Sequence, residues 1–270
     1  MSYDIYTASL AVTDVKVHML HKGKVVIVTG GATGIGRAAA IAFAREGASV
    51  VIGDINEKEG ETTANLVRDA GGHAIFRRTD VTIEDEVKAM VATAVSEFGG
   101  LDAAFNNAGV NHPMGSVENI AEEEWDRAVA INQTSIFLCM KHEVPEMRKR
   151  GGGAIVNTSS GMGLFALPNV AAYVATKHAV IGLTKAAAVD FGPDNIRVNA
   201  LLPGKTLTEL TRVSYEKLGL DLDKVAAGLP LRRLGLPEDQ AEAVVWLTSE
   251  RASFITGLSL ICDGGESAQR

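Results

Sequence analysis

Seven short apolar runs alternate with longer helical patterns along this chain, and that rhythm restricts its fold more than any other feature. VVIVT (25–29) leads to a helical pattern near 35–46, SVVIGD (49–54) to EKEGETTANLVRDA, and HAIFRRTDV (73–81) to EDEVKAMVATAVSEF. LDAAFNNAG (101–109) leads to a long pattern around 122–150, and GAIVNTSS (153–160) to AAYVATKHAVIGLTKAAAVDF. IRVNALLPG (196–204) is followed by an irregular stretch and EDQAEAVVWLTS, and LSLICDGG (258–265) is the last run. Such alternation implies a parallel sheet with helices on both faces. The runs are apolar on both sides, as doubly covered strands must be. The expectation is an α/β fold: a Rossmann-type, doubly wound parallel sheet of about seven strands in a single domain. No linker rich in Pro and Gly divides the chain. Residues 1–22 read as an N-terminal extension, either mobile or packed on a partner subunit, and 23–270 as the domain. Residues 205–236 break the rhythm after a strand's carboxyl end, where a substrate lid tends to sit.

Composition excludes several functions. A chain of 270 residues buries about three-quarters of its unfolded surface and needs neither disulfide nor metal to hold it. The net charge is −7 with acids and bases mixed, which argues against nucleic acid. No apolar run approaches the ~18 residues of a membrane span. The N-terminus carries two aspartates and no basic start, a poor secretory signal. Cys139 and Cys262 lie far apart in apolar contexts, which points to a reducing compartment, the cytoplasm. Six histidines are present, but no H-E-x-x-H and no Cys/His cluster, so no metal is expected. His178 reads as structural and His112 as an exposed loop residue.

The first run ends in TGGATGIG (29–36), with glycines at Gly30, Gly34 and Gly36. Glycine tolerates positive φ and lets backbone come close to a ligand. The helix that follows offers unpaired N–H groups and a positive dipole end to a phosphate. The spacing is G-x-x-x-G-x-G, and the glycines alone also fit an ordinary strand-to-helix turn. Asp54 closes the second run, 18 residues beyond Gly36. An acid there accepts hydrogen bonds from both ribose hydroxyls of an adenosine and repels a 2′-phosphate. Neither Thr33 nor Ile55 supplies a compensating positive charge, so NAD is favoured over NADP. Candidate cofactor contacts in the turn are Gly30, Thr33, Gly34, Ile35 and Gly36.

YVATK (173–177) places Tyr173 and Lys177 on one helix face. Bringing a phenol from about 10 to near 7 needs roughly 4 kcal/mol of preferential stabilisation of the phenolate. A Lys ammonium and an oxidised nicotinamide ring are the sources expected. Such a tyrosine takes a proton from an alcohol or gives one to an alkoxide. Ser160, 13 residues upstream at a strand end, is placed to hold the substrate oxygen, with Ser159 as the alternative. NNAG (106–109) suits close packing against a cofactor. Asn132, a polar amide in AINQTSIF, suggests a buried hydrogen-bonding task, such as holding a water near Lys177 or simply satisfying the core.

Together these motifs closely resemble the short-chain dehydrogenase/reductase family, in its compact single-domain branch, from about Lys24 to Gly265. Their joint order carries the resemblance: TGGATGIG, Asp54, TDV with Asp80, NNAG, Asn132, Ser160, YVATK, PGKTLT (203–208) and DGG (263–265). The resemblance implies that Ser160 orients the substrate oxygen and Tyr173 is the acid/base. Lys177 would bind the nicotinamide ribose and lower the tyrosine pKa, and Asn132 would anchor a proton-relay water. Asp80 and Val81 would contact adenine, Asn107 and Gly109 would lie along the cofactor, and Pro203, Gly204 and Thr208 would cradle its nicotinamide end. Lys205 is less usual there than an apolar residue. Hydride would pass between nicotinamide C4 and a carbinol carbon, in a homotetramer. The pocket is expected from Gly161, Met162, Leu164, Leu207, Leu210 and Tyr215, mainly apolar, which suits a small secondary alcohol or ketone. The alternatives are a dihydrodiol dehydrogenase or 3-oxoacyl reductase of the same fold, or a non-catalytic NAD-binding protein.

Overall fold

The computed structural model describes residues 19–111 and 115–269. Most of the N-terminal extension, residues 1–18, lies outside that range, as does His112. Seven strands form one sheet: β1 (Val25–Thr29), β2 (Ser49–Asp54), β3 (His73–Arg78), β4 (Ala103–Asn106), β5 (Gly153–Thr158), β6 (Ile196–Pro203) and β7 (Ser259–Cys262). Their spatial order is β3-β2-β1-β4-β5-β6-β7. Every pairing is parallel.

The helices are α1 (Gly34–Arg45), α2 (Glu57–Asp69), α3 (Glu84–Phe98), α4 (Glu122–Val129), α5 (Ser135–Lys149), α6 (Ala171–Phe191), α7 (Glu209–Lys217), α8 (Leu222–Ala227) and α9 (Pro237–Thr248). One layer packs α3, α5 and α6 against the sheet, through Met90, Ile136, Met147 and Val180. The other packs α1, α2 and α9, through Phe43, Val67 and Val244. β1 is buried along its whole length, which is why its sequence is apolar at every position rather than alternating. The order reverses between β1 and β4. The crevice at their carboxyl ends is therefore the place where ligands bind in open sheets of this kind.

Two segments differ from the sequence expectation. The pattern at 122–150 is not one helix. It is interrupted at Ala130–Thr134 by a π turn, where Ser135 Oγ also bonds the Ile131 carbonyl at 2.5 Å. A hydroxyl competing for a helix carbonyl favours such a break. The break lies in AINQT, around Asn132. The stretch 205–236, read as irregular, contains α7 and α8. Thr208 caps α7 through a reciprocal pair with Thr211, its Oγ1 accepting from Thr211 N at 3.2 Å. Asp221 caps α8. The base of the segment is pinned where Leu207 N donates to Gly235 O and Gly235 N to Lys205 O, at 2.8 and 2.9 Å. These caps were present as T-L-T-E-L-T and D-L-D-K, but the short helices carry too little apolar periodicity to announce themselves.

Candidate active site

The glycine turn joins β1 to α1 with Gly30 and Gly34 at φ +63° and +54°. Gly36 lies against the backbone of Gly30. A Cβ on Gly36 would stand 2.1 Å from the Gly30 carbonyl oxygen. No acidic side chain occupies the first turn of α1, and the Thr33 hydroxyl makes no cap bond. The N–H groups around Ile35 and Gly36 thus face the crevice without a side-chain acceptor, an arrangement that fits a dinucleotide's phosphates.

The turn is held from two sides. Asp54 accepts from Ala32 N through Oδ2 at 3.0 Å and from Asn56 N through Oδ1 at 2.9 Å. Arg37 donates through Nε to Ala32 O at 2.9 Å and pairs with Glu59 at 2.7 Å. Asp54 therefore supports the turn as well as offering its remaining lone pairs outward. At the end of β4, Asn107 N and Ala108 N donate to Thr29 Oγ1 at 2.9 and 3.1 Å. Asn107 Nδ2 donates to Thr29 O at 3.1 Å. Asp80 organises the loop after β3 by accepting from Thr82 N and Oγ1. Val81 is buried in the core under α3.

Gly109 lies where a Cβ would be 3.2 Å from Asn132 Oδ1 and 3.7 Å from Lys177 Nζ, so NNAG, the π turn and α6 converge at one point. The Asn132 side chain is committed: Oδ1 accepts from Val110 N at 2.8 Å and Nδ2 donates to Val110 O at 3.0 Å. Its amide holds the chain after NNAG in place. Lys177 is buried, and its ammonium donates to Thr158 O at 3.0 Å, 5.5 Å from the Tyr173 ring centroid. Of the two serines, Ser159 turns into α6, its Oγ donating to Lys177 O at 2.7 Å. Ser160 is the one that hydrogen-bonds Tyr173.

Without cofactor, burial is the largest influence on both Tyr173 and Lys177. Burial pushes the Tyr173 phenol above its ordinary value, and the Ser160 hydrogen bond opposes that only in part. Burial also lowers Lys177 to about 8. For Lys177 the cause is loss of water around the ammonium, which disfavours its charged form.

Gly161 begins a tight turn with Met162, and a Cβ at Gly161 would touch the Phe165 ring at 3.4 Å. Leu164 and Leu210 are exposed, and Leu207 and Tyr215 are half-buried. The start of α7 touches the glycine turn: a Cβ at Gly34 would be 3.2 Å from Thr208 Cγ2. Ser214 Oγ accepts from Asn111 Nδ2 at 3.3 Å, linking α7 to the loop after NNAG. Pro203 ends β6, and Gly204 is packed against Asp263, where a Cβ would be 2.4 Å from the Asp263 Cβ. Lys205 forms a 2.9 Å ion pair with Glu266, whose charge, after burial, also pushes the Tyr215 phenol up. Asp263 opens the DGG motif, whereas Glu266 and Asn111 carry no signal in the sequence beyond the unusual Lys205, whose charge calls for a carboxylate.

His178 is exposed on another face of α6, beside a groove of about 660 Å³ that Tyr173 and Lys177 do not line. Among the described residues no cluster of His, Cys, Asp and Glu could hold a metal ion, and no helix is long and apolar enough to cross a membrane.

Residues 30–267 match the family described as enoyl-(acyl carrier protein) reductase. The chain is 44% identical over 250 residues to 2,5-dichloro-2,5-cyclohexadiene-1,4-diol dehydrogenase of Sphingobium indicum, covering 91% of this chain and 98% of that protein. It is 39% identical over 246 residues to cyclohexanol dehydrogenase of an Acinetobacter species, covering 91% and 96%. The crystal structure of levodione reductase superposes with a TM-score of 0.89 at 32% identity, over 92% of this chain and 99% of that one. With the order of motifs, the seven-stranded sheet and relatives that span nearly its whole length, this chain belongs to the short-chain dehydrogenase/reductase family.

Proposed function

We propose that this protein is an NAD-dependent dehydrogenase of secondary alcohols, with ring alcohols and cyclic diols as its substrate class. The observation that carries this reading is the convergence of Ser160, Tyr173 and Lys177 beside the glycine turn, with Ser160 bonded to Tyr173 and Lys177 5.5 Å from its ring. Two relatives named for cyclohexadienediol and cyclohexanol oxidation support the substrate class.

The cofactor's diphosphate is held by the amides of Thr33 to Gly36, its adenosine ribose by Asp54 and its adenine by Asp80 and Val81. Asn107 and Gly109 lie along it. Lys177 holds the nicotinamide ribose, and Pro203, Gly204 and Thr208 hold the nicotinamide end. When bound, the nicotinamide supplies the hydride acceptor. Ser160 donates to the substrate oxygen, Tyr173 removes the hydroxyl proton, and the Lys177 ammonium stabilises the phenolate. Asn132 keeps the Val110 backbone, and so the pocket floor, in register. Residues 205–236 act as a lid, presenting Leu207, Leu210 and Tyr215 toward Gly161, Met162 and Leu164. A homotetramer in the cytoplasm is the proposed form. Both cysteines are free, as a reducing compartment requires, and light scattering on the purified protein measures the assembly.

An acyl-carrier substrate is the second reading, drawn from the description of the matched family. An acidic carrier would need free cations at the lid. Two of the arginines there, Arg212 and Arg233, are already paired, with Glu216 and Asp239 at 2.7 and 2.6 Å.

The deciding experiment follows NADH absorbance with cyclohexanol, cyclic cis-diols and a 3-oxoacyl thioester, each with both cofactors. Turnover of ring alcohols with NAD supports the proposal; preference for the thioester overturns it. Asp54→Asn removes the charge and keeps an acceptor for Ala32 N. It is expected to narrow the NAD-over-NADP ratio of kcat/KM about tenfold, one unit of ~1.4 kcal/mol. An unchanged ratio means that Asp54 does not select the cofactor.

A further inference from the structure

Between α5 and the sheet, a carboxyl group that the mechanism does not use is fully buried. Glu143 Oε2 accepts from Asn106 Nδ2 at 3.0 Å. The same Nδ2 donates to Asn157 Oδ1 at 3.1 Å, and Asn157 Nδ2 donates to Thr184 Oγ1 at 3.1 Å. Two atoms in this network have no partner: Glu143 Oε1 and Asn106 Oδ1. Both are acceptors, and they belong to two planar groups already joined by their other atoms. A carboxylate cannot answer an amide oxygen, because neither carries a proton, and a buried acceptor left unanswered is costly. A single proton on Oε1 removes both deficits.

We propose that Glu143 and Asn106 form a neutral carboxylic acid–amide pair, in which Oε1–H donates to Asn106 Oδ1 while Oε2 accepts from Asn106 Nδ2, and that Glu143 is a positioning residue for the candidate site. The positions make the second clause specific. Asn106 and Asn157 are paired in register near the carboxyl ends of β4 and β5. The next residues are Asn107, which ties β4 to the glycine turn, and Thr158, whose carbonyl holds the Lys177 ammonium. The pair therefore sets the relative height of the two strand ends that present these groups. This clause rests on the function proposed above; the acid–amide pair does not.

The surroundings favour the neutral acid. Asn106 of β4, Asn157 of β5 and Thr184 of α6 carry no charge, and α3 contributes Val87, Met90, Val91 and Ala94 to the same core. Cys139, one turn earlier on α5, is the titratable neighbour, and burial holds its proton. Burial, opposed by the Asn106 amide, raises Glu143 from the usual carboxyl range to about 7. The folded protein thus retains a proton that the unfolded chain has released above about 4.5. The stability this group contributes falls as pH rises from about 4.5 through about 7 and is constant above that.

Glutamine reproduces the pair without a titration: its amide N–H replaces the acid O–H. In Glu143→Gln, the melting temperature relative to the parent protein should climb by roughly 5 °C or more between pH 5 and pH 8. Infrared spectra of the parent protein at pH 6.5 should show the carbonyl stretch of a neutral carboxylic acid, lost in Glu143→Gln. A melting-temperature difference that does not change with pH, or no such band, overturns the pair. Neither measurement needs cofactor or substrate, so both stand apart from the success of the proposed function. For the positioning clause, Glu143→Leu should lower kcat about tenfold with KM for NAD changed less, and Glu143→Gln should restore it. Parent-like kcat in folded Glu143→Leu overturns that clause.

Discussion

Tyr173→Phe should lower kcat by about a thousandfold, within the range of roughly 10²–10⁴ that a positioned acid/base contributes. The affinity for NAD should stay within about twofold of the parent value, since in the proposed binding mode the cofactor's phosphates and adenosine would be held elsewhere. The substitution removes one oxygen from a half-buried ring and leaves the Lys177–Thr158 hydrogen bond at 3.0 Å in place, so folding should be little affected. NADH absorbance gives kcat, and quenching of protein fluorescence gives the binding constant. The pH profile sharpens the expectation. In the oxidation direction the phenol must be ionised, so turnover rises with pH through the Tyr173 pKa of the complex. Without cofactor, burial holds that pKa above the ordinary tyrosine value. In the proposed complex a positive nicotinamide ring beside the phenol would favour the phenolate and oppose that burial. The residual activity of Tyr173→Phe should lack this rising limb. Retention of both turnover and limb would assign the base to another group.

Much of this arrangement is legible in the chain, for physical reasons that differ between parts. The strands are legible because a fully covered parallel strand must be apolar at every position, as VVIVT and SVVIGD are. Their ends are overextended in the sequence reading: NNAG and NTSS continue the chain into the crevice, but the ladders stop at Asn106 and Thr158. Tyr173 and Lys177 are legible through helical spacing alone. The choice between Ser159 and Ser160 is not, because adjacent hydroxyls at a strand end differ only in which side the turn exposes. The break around Asn132 is hidden because its flanking residues keep a helical pattern on either side of the π turn. The 5.5 Å placement of Lys177 over the ring is a matter of rotamer that no spacing encodes. Glu143 carries no signal in EVPEMRKR, where acids and bases read as a solvated helix face. Its burial follows only from how α5 lies on the sheet.

Gly36→Ala should abolish NAD binding and lower the melting temperature by roughly 10 °C or more, as an overpacked backbone contact costing several kcal/mol predicts. By propensity alone the change is favourable, since Gly36 lies in the first turn of α1, where alanine is preferred by about 1 kcal/mol. The tertiary contact decides the sign. A Cβ there stands 2.1 Å from the Gly30 carbonyl oxygen, 2.7 Å from the Gly30 carbonyl carbon and 2.9 Å from Asn107 Nδ2. Two of these are backbone atoms of the glycine turn, and the third is the side chain that ties the turn to β4. None can yield without opening the crevice. Gly182→Ala is the matching control. It lies within α6, and a Cβ there meets nothing within 4 Å. Only the propensity term remains, so the variant should melt about 2–4 °C higher and bind NAD unchanged. Thermal melts with and without NAD test both. If the two substitutions act alike, the close approach of backbone to backbone at the head of α1 is not what the glycine is for.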